Sequence, residues 1–152
     1  MVAYIKHDCV ELTSLPPQET VLVRDIKFAH CSIKPRFDDG KSLAMLIRQI
    51  RNSEVDPLRD RFLFLKVWHF RGGLIARNNS RLYCFMEFQK HRAEDVMVNV
   101  HIVKLGKIVE KFVRSCATRN GGESVRVRSG GRNNASRTRK LRYQSSGSGH
   151  RP

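Results

Sequence analysis

The chain has 152 residues, and residues 1–117 hold 56 of its 61 apolar residues, whereas residues 118–152 hold five. Its formal charge of +15 divides into +7 for residues 1–117, from 20 basic and 13 acidic residues, and +8 for residues 118–152, from nine and one. This composition excludes a collagen, a coiled coil and an acidic disordered chain, and predicts one folded domain with a basic tail.

The first part of the domain predicts a strand, a loop and a helix. Apolar residues over 21–23 and 26–28 are typical of a short strand, and the turn-forming residues of 32–40 predict a loop. Ser42 is placed to cap a helix whose solvent-exposed face carries Arg48 and Arg51. The buried stripe of this helix is predicted from the i, i+3, i+4, i+7 spacing of Leu43, Leu46, Ile47 and Ile50.

A hairpin and a second helix are predicted next. Residues 61–70 are rich in aromatic and β-branched residues and predict a buried strand. The turn at 71–73 leads into a second strand over 74–76, which completes the hairpin. After Asn78 and Asn79 the helical period returns at Leu82, Phe85 and Phe88.

The domain ends with a strand and a third helix. Strict alternation over 96–103 predicts a strand with a single buried face, formed by Val96, Val98, Val100 and Ile102. The stripe of the last helix is predicted to be Ile108, Val109, Phe112, Val113 and Cys116. The order β-α-β-β-α-β-α predicts an α+β fold with a small mixed sheet and three helices.

Domain boundaries follow from the same patterns. We expect an N-terminal extension over 1–20, the folded domain over 21–117 and a disordered Arg/Gly/Ser-rich tail over 118–152. Such a tail binds polyanions without reading their sequence. Its candidate nucleic-acid-binding residues are Arg126, Arg128, Arg132, Arg137, Arg139, Lys140 and Arg142.

Location and metal content are predicted from what the sequence lacks. No apolar run approaches the roughly 18 residues of a membrane span, and the first residues do not follow a secretory signal pattern. The four cysteines are Cys9, Cys31, Cys84 and Cys116, and they show no CxxC spacing. This favours reduced thiols and an intracellular protein, cytoplasmic or nuclear. No membrane partner is expected. The His and Cys residues at 7–9 and 30–31 match no standard zinc spacing, so no metal site is predicted.

Two short boxes carry a resemblance to a known family. The first is Ile33-Lys34-Pro35-Arg36-Phe37-Asp38-Asp39-Gly40, and the second is Asn78-Asn79-Ser80-Arg81-Leu82 at the start of a helix. Their order and their strand-to-helix context resemble the ParB/sulfiredoxin superfamily over about residues 21–104. The resemblance implies a ParB/sulfiredoxin-like fold in which both boxes face one phosphate-bearing ligand. The residues implied to bind it are Arg36, Asn78, Asn79, Ser80 and Arg81.

Physical chemistry supports a phosphate site at the second box. The first N–H groups of a helix lack intrahelical partners and attract anions, and Arg81 adds a forked donor. The resemblance implies a nucleoside triphosphate with Mg²⁺ as the candidate cofactor, although Asn79 and Ser80 replace the acidic residue and the first Arg of the strict ParB box. In sulfiredoxins a reactive cysteine aligns with Asn79, which argues against that activity. Asn78 and Asn79 also fit an Asx turn and helix cap.

The predicted function is therefore binding of phosphate-bearing ligands, with nucleic acid on the tail or a nucleotide at the helix start after Asn79. One alternative is a non-catalytic interaction module with a degenerate ligand site, favoured by the changed residues Asn79 and Ser80. The alternative for Arg36 and Arg81 themselves is that both are solvated or hold Asp38, Asp39 or Glu87 in surface ion pairs. A second alternative is an enzyme that hydrolyses nucleotides or nucleic acid, with a metal cluster drawn from Asp25, Asp38, Asp39 and Glu54. No catalytic residue is predicted, and the oligomeric state is left open.

Overall fold

The computed structural model describes residues 17–107, 109–111 and 120–130. Its strands are β1 Gln18–Leu22, β2 Ile26–Phe28, β3 Ser32–Ile33, β4 Leu65–Phe70, β5 Gly73–Ala76, β6 Met97–Ile102 and β7 Arg126–Val127. Five of them form the main sheet, in the order β1-β6-β4-β5-β2. In this sheet β1 and β6 are antiparallel, β6 and β4 are parallel, β4 and β5 form an antiparallel hairpin, and β5 runs parallel to β2. A separate parallel pair joins β3 to β7.

The two helices, α1 Leu43–Arg51 and α2 Asn79–Gln89, pack against each other. Residues 107 and 109–111 are also helical, and among the described residues no helix is long and apolar enough to span a membrane. The mixed α+β class with three helices is confirmed. Most of the last predicted helix, with Ile108, Phe112, Val113 and Cys116, lies outside the described residues.

One core lies between the helices and the sheet. Leu43, Leu46 and Ile50 are its contribution from α1, as the spacing predicts, and the Ser42 hydroxyl accepts a hydrogen bond from the Met45 N–H at 3.1 Å. The face predicted for β6 is confirmed, because all four of its residues join this core: Val96, Val98 and Val100 are buried and Ile102 is partly buried. A smaller cluster around Trp68 packs on Phe70, Ile75, Val103, Leu105 and Val109.

The single strand expected over 21–28 is divided by a 3₁₀ turn, Val23–Asp25, into strands at opposite edges of the sheet. Three boundaries also differ from the sequence-based expectation. Residues 18–20, expected in an extension, form the start of β1 because their backbone pairs with β6. Residues 61–63 form a 3₁₀ turn and not the start of a strand. Leu63 and Phe64 are both buried while Phe62 is 58% exposed, and a strand would place the two buried neighbours on opposite faces.

The third difference concerns residues 120–130, here named the C-terminal strap. The expectation of disorder from residue 118 is wrong for this segment, since its backbone is hydrogen-bonded to the domain. The N–H groups of Arg126 and Arg128 donate to Cys31 O at 3.0 Å and Ile33 O at 2.9 Å, and the Phe28 N–H donates to Gly122 O at 2.9 Å. Paired backbone groups compensate for the few apolar residues in the strap.

Candidate ligand-binding site

A cavity of about 670 Å³ opens between the 32–42 loop, the start of α2 and the C-terminal strap. A volume of this size is typical of sites for small organic ligands. The structure brings both sequence boxes to this cavity, as the resemblance implies. The predicted residues that line it are Arg36, Asn78, Asn79, Ser80 and Arg81.

The cavity is strongly basic. Six Lys and Arg residues line it against two acids, and both acids are already paired, Asp38 with Lys34 at 3.5 Å and Asp39 with Lys41 at 3.4 Å. The Lys41 backbone N–H also donates to the Asp39 carboxylate at 3.1 Å, and this bond lowers the pKa of Asp39. Among the described residues, four lining arginines have no carboxylate partner: Arg36, Arg77, Arg81 and Arg128.

This finding bears on the expectation of ion pairs. In the described part of the chain, neither Arg36 nor Arg81 pairs with Asp38, Asp39 or Glu87. The Arg36 Nη1 instead donates to Gly40 O at 2.9 Å, which folds its side chain back over its own loop. The positive charge of these two residues is therefore available to an anion.

Arg81 is hydrogen-bonded to a part of the domain outside its own helix. It stands in the first turn of α2, and its Nη1 donates to Phe64 O at 3.2 Å. Partial burial lowers the pKa of the Arg81 guanidinium, although an arginine stays protonated at neutral pH. A guanidinium that has lost water without gaining a carboxylate favours a bound anion, because the anion would offset its desolvation.

The two asparagines of the second box have structural roles. Asn79 is 5% exposed; its Oδ1 accepts from the Ala29 N–H at 2.8 Å and the His30 N–H at 3.4 Å. The Asn78 Oδ1 accepts from the Lys66 N–H at 2.8 Å, which ties the hairpin to the helix start. The side chains that the second box leaves for a ligand are those of Ser80 and Arg81.

The expected side-chain cap at Asn78 is wrong. Asn78 is the N-cap residue of α2 but makes no side-chain cap hydrogen bond, because its amide oxygen is committed to Lys66. Its backbone carbonyl accepts from the N–H groups of Arg81 at 3.1 Å and Leu82 at 3.0 Å. The N–H groups of the two residues before Arg81 thus have neither an intrahelical acceptor nor a side-chain cap.

The predicted tail residues fall into two groups. Arg126 opens β7 and Arg128 directly follows it, and Arg128 lines the cavity, which sequence reasoning did not anticipate. The alternation Val125-Arg126-Val127-Arg128 was the available signal, since period two is typical of a strand. Arg132, Arg137, Arg139, Lys140 and Arg142 lie outside the described residues. Sequence reasoning also missed Arg77, which immediately precedes the second box.

The described residues provide little for metal or thiol chemistry. Among them, no three His, Cys, Asp or Glu side chains are placed to hold a metal ion, so the expected nuclease cluster is not assembled there. A Mg²⁺ ion at this cavity would depend on phosphate oxygens of its ligand. Burial raises the pKa of the Cys84 thiol to about 12, and its Sγ lies 3.6 Å from Leu43 O. The thiolate is the nucleophile, so Cys84 is unreactive in the folded domain.

Comparison with known proteins adds no relative: no family model, no curated protein and no solved structure matches this chain.

Proposed function

We propose that this protein binds phosphate-bearing ligands in the cavity described above, nucleic acid in the first place and nucleotides in the second. The observation that carries the proposal is the set of lining arginines without a carboxylate partner among the described residues: Arg36, Arg77, Arg81 and Arg128. Arg36, Arg77 and Arg128 are exposed and Arg81 is partly buried. All four line one concave surface, where their fields add.

The remaining features of the cavity favour an anion of phosphate geometry. Arg81 offers a planar fork, and its position is set by the bond to Phe64 O. Uncapped N–H groups at the start of α2 provide further donors for oxygen. The Ser80 hydroxyl lines the same wall and can donate one more hydrogen bond.

A ParB/sulfiredoxin-like fold is the second part of this proposal. It is supported by the helix and hairpin that separate the boxes, by the helix that begins in the second box, and by the position of both boxes at one cavity. An interaction module with a degenerate site is less well supported, because Arg81 is partly desolvated and has no carboxylate partner among the described residues. An intracellular location, cytoplasmic or nuclear, accompanies the proposal.

The test is a fluorescence anisotropy titration of the full chain with a labelled oligonucleotide and a labelled nucleoside triphosphate, each at two salt concentrations. Replacing Arg81 with Gln should weaken both ligands about 10- to 100-fold, the usual effect of removing a charged hydrogen-bond donor. Arg36→Gln should weaken binding in the same direction. Because the Arg36 side chain is exposed, this substitution should leave the fold intact.

Arg48→Gln is the matched control. Arg48 is exposed on α1 and does not line the cavity, yet its replacement removes the same charge. If Arg48→Gln weakens binding as much as Arg81→Gln, the protein attracts polyanions by net charge alone and the cavity is not the site. Salt-insensitive nucleotide binding would favour the cavity, and a steep salt slope would indicate many phosphate contacts.

A further inference from the structure

The cavity combines its arginines with an apolar wall. Phe62 is 58% exposed, and of the large hydrophobic residues that the described chain exposes it alone lines the cavity, since Leu58 and Met97 lie elsewhere. A phosphate group gains nothing from contact with a phenyl ring. A nucleic acid base does, because stacking on an aromatic side chain removes one face of the base and one face of the ring from water.

Phe62 and Arg81 are positioned by the same turn. The 3₁₀ turn Arg61–Leu63 is closed by hydrogen bonds from the Leu63 N–H to Asp60 O at 2.8 Å and from the Phe64 N–H to Arg61 O at 3.2 Å. Leu63 and Phe64 are buried and anchor the turn in the core. Since Arg81 donates to Phe64 O, the exposed ring and the guanidinium are fixed to adjacent parts of one rigid backbone.

The chain path connects the cavity with the basic C-terminus. The strap places Arg128 in the cavity wall and brings Gly130 against Pro35, where a Cβ on the glycine would lie 3.7 Å from the proline Cγ. Pro35 directly precedes Arg36, so the strap ends beside the cavity. Residues 131–152 then carry six Lys and Arg residues and no acid. A polymer with many phosphates can contact several of these basic residues, whereas a single nucleotide cannot.

We propose that the cavity accepts one unpaired nucleotide of a single-stranded nucleic acid, with its base on Phe62 and its phosphate at Arg81. This inference rests on the proposed function and narrows it to one ligand class. A base in a duplex is paired and stacked, so it cannot reach a ring inside a cavity without being extruded at a cost. A free nucleotide would fill the cavity without using the charge that follows Gly130.

The experiment compares three labelled ligands with the same number of phosphates on the full-length protein: a single-stranded oligothymidylate, the abasic phosphodiester of the same length and a duplex of half that length. Deoxyribose and ribose versions of the single strand separate DNA from RNA as the source. The wild type should bind the oligothymidylate about 5- to 150-fold more tightly than the abasic strand, the range expected for stacking of one base. The duplex should bind more weakly than the single strand.

Variants assign the effect to the ring. Phe62→Ala should abolish the preference for the base-containing strand, and Phe62→Trp should keep it, since the indole also provides a stacking face. Leu58→Ala is the matched control, because Leu58 is 44% exposed and does not line the cavity. The Trp variant also shows whether the turn tolerates substitution.

The outcomes separate this inference from the proposed function. Equal affinity for the abasic and base-containing strands, an unchanged preference in Phe62→Ala, or duplex binding as tight as single-strand binding would each overturn the inference. In those cases the proposed function stands if Arg81→Gln still weakens binding. If Arg81→Gln changes nothing for any ligand, both are overturned.

Discussion

Gly122 provides a sharp test of whether the C-terminal strap is part of the fold. Its φ is +84°, and a Cβ would lie 2.8 Å from Phe28 O and 3.0 Å from the Lys27 Cβ. Gly121 has a similar φ of +66°, but a Cβ there would meet nothing within 4 Å. Alanine at either position costs about 1–2 kcal/mol for the left-handed backbone. At Gly122 the clash with main-chain atoms adds about 2 kcal/mol, typical of overpacking.

Urea unfolding of the two alanine variants measures this difference. We expect Gly121→Ala to lower the free energy of unfolding by about 1–2 kcal/mol and Gly122→Ala by about 3–4 kcal/mol. The strap of Gly122→Ala will detach if detachment costs less free energy than distorting the backbone around the new Cβ. The free energy of unfolding then falls only by the amount that docking of the strap contributes, and a protease will cleave within 120–130 in that variant alone. Equal destabilisation with equal resistance to cleavage would refute the close packing of the strap on β2.

Two further predictions concern buried groups near the cavity. Asn79→Ala should destabilise the domain by about 1–3 kcal/mol, because it leaves the buried Ala29 N–H without its acceptor. In urea unfolding, the control Asn52→Ala at the exposed end of α1 should change the midpoint little, and a similar midpoint for both variants would contradict the structural role of Asn79. A thiol reagent at pH 8 should modify exposed Cys31 in the native protein and leave Cys84 unmodified until urea unfolds the domain. Peptide mass mapping identifies the modified cysteines, and rapid labelling of Cys84 in the native protein would contradict its raised pKa.

Local periodicity was enough to predict most of the helices and strands. The stripe of α1, its Ser42 cap and the inward face of β6 follow from residue spacing alone, because a single buried face imposes its period on the sequence. The turn at 61–63 was not predicted. The four consecutive apolar residues 62–65 are typical of a buried strand, but the fold buries the last three and exposes Phe62 as part of a cavity wall.

The candidate site was predicted less completely than the fold. Arg36 and Arg81 were found through the two boxes, yet Arg128 was assigned to a disordered tail because its segment has few apolar residues. Its place depends on β3–β7 pairing between main-chain groups, which side-chain patterns do not reveal. The roles of Asn78 and Asn79 were also hidden, since the backbone groups they bind come from Lys66, Ala29 and His30.

The β3–β7 pair joins Ser32 to Arg126, 94 positions later in the chain. Contacts of such long sequence separation form late, after the loop between them has been ordered. During synthesis all five strands of the main sheet, α1 and α2 precede β7, so their part of the core exists before Val125 and Val127 pack against it. The strap, which brings Arg128, is therefore the last wall of the cavity to form.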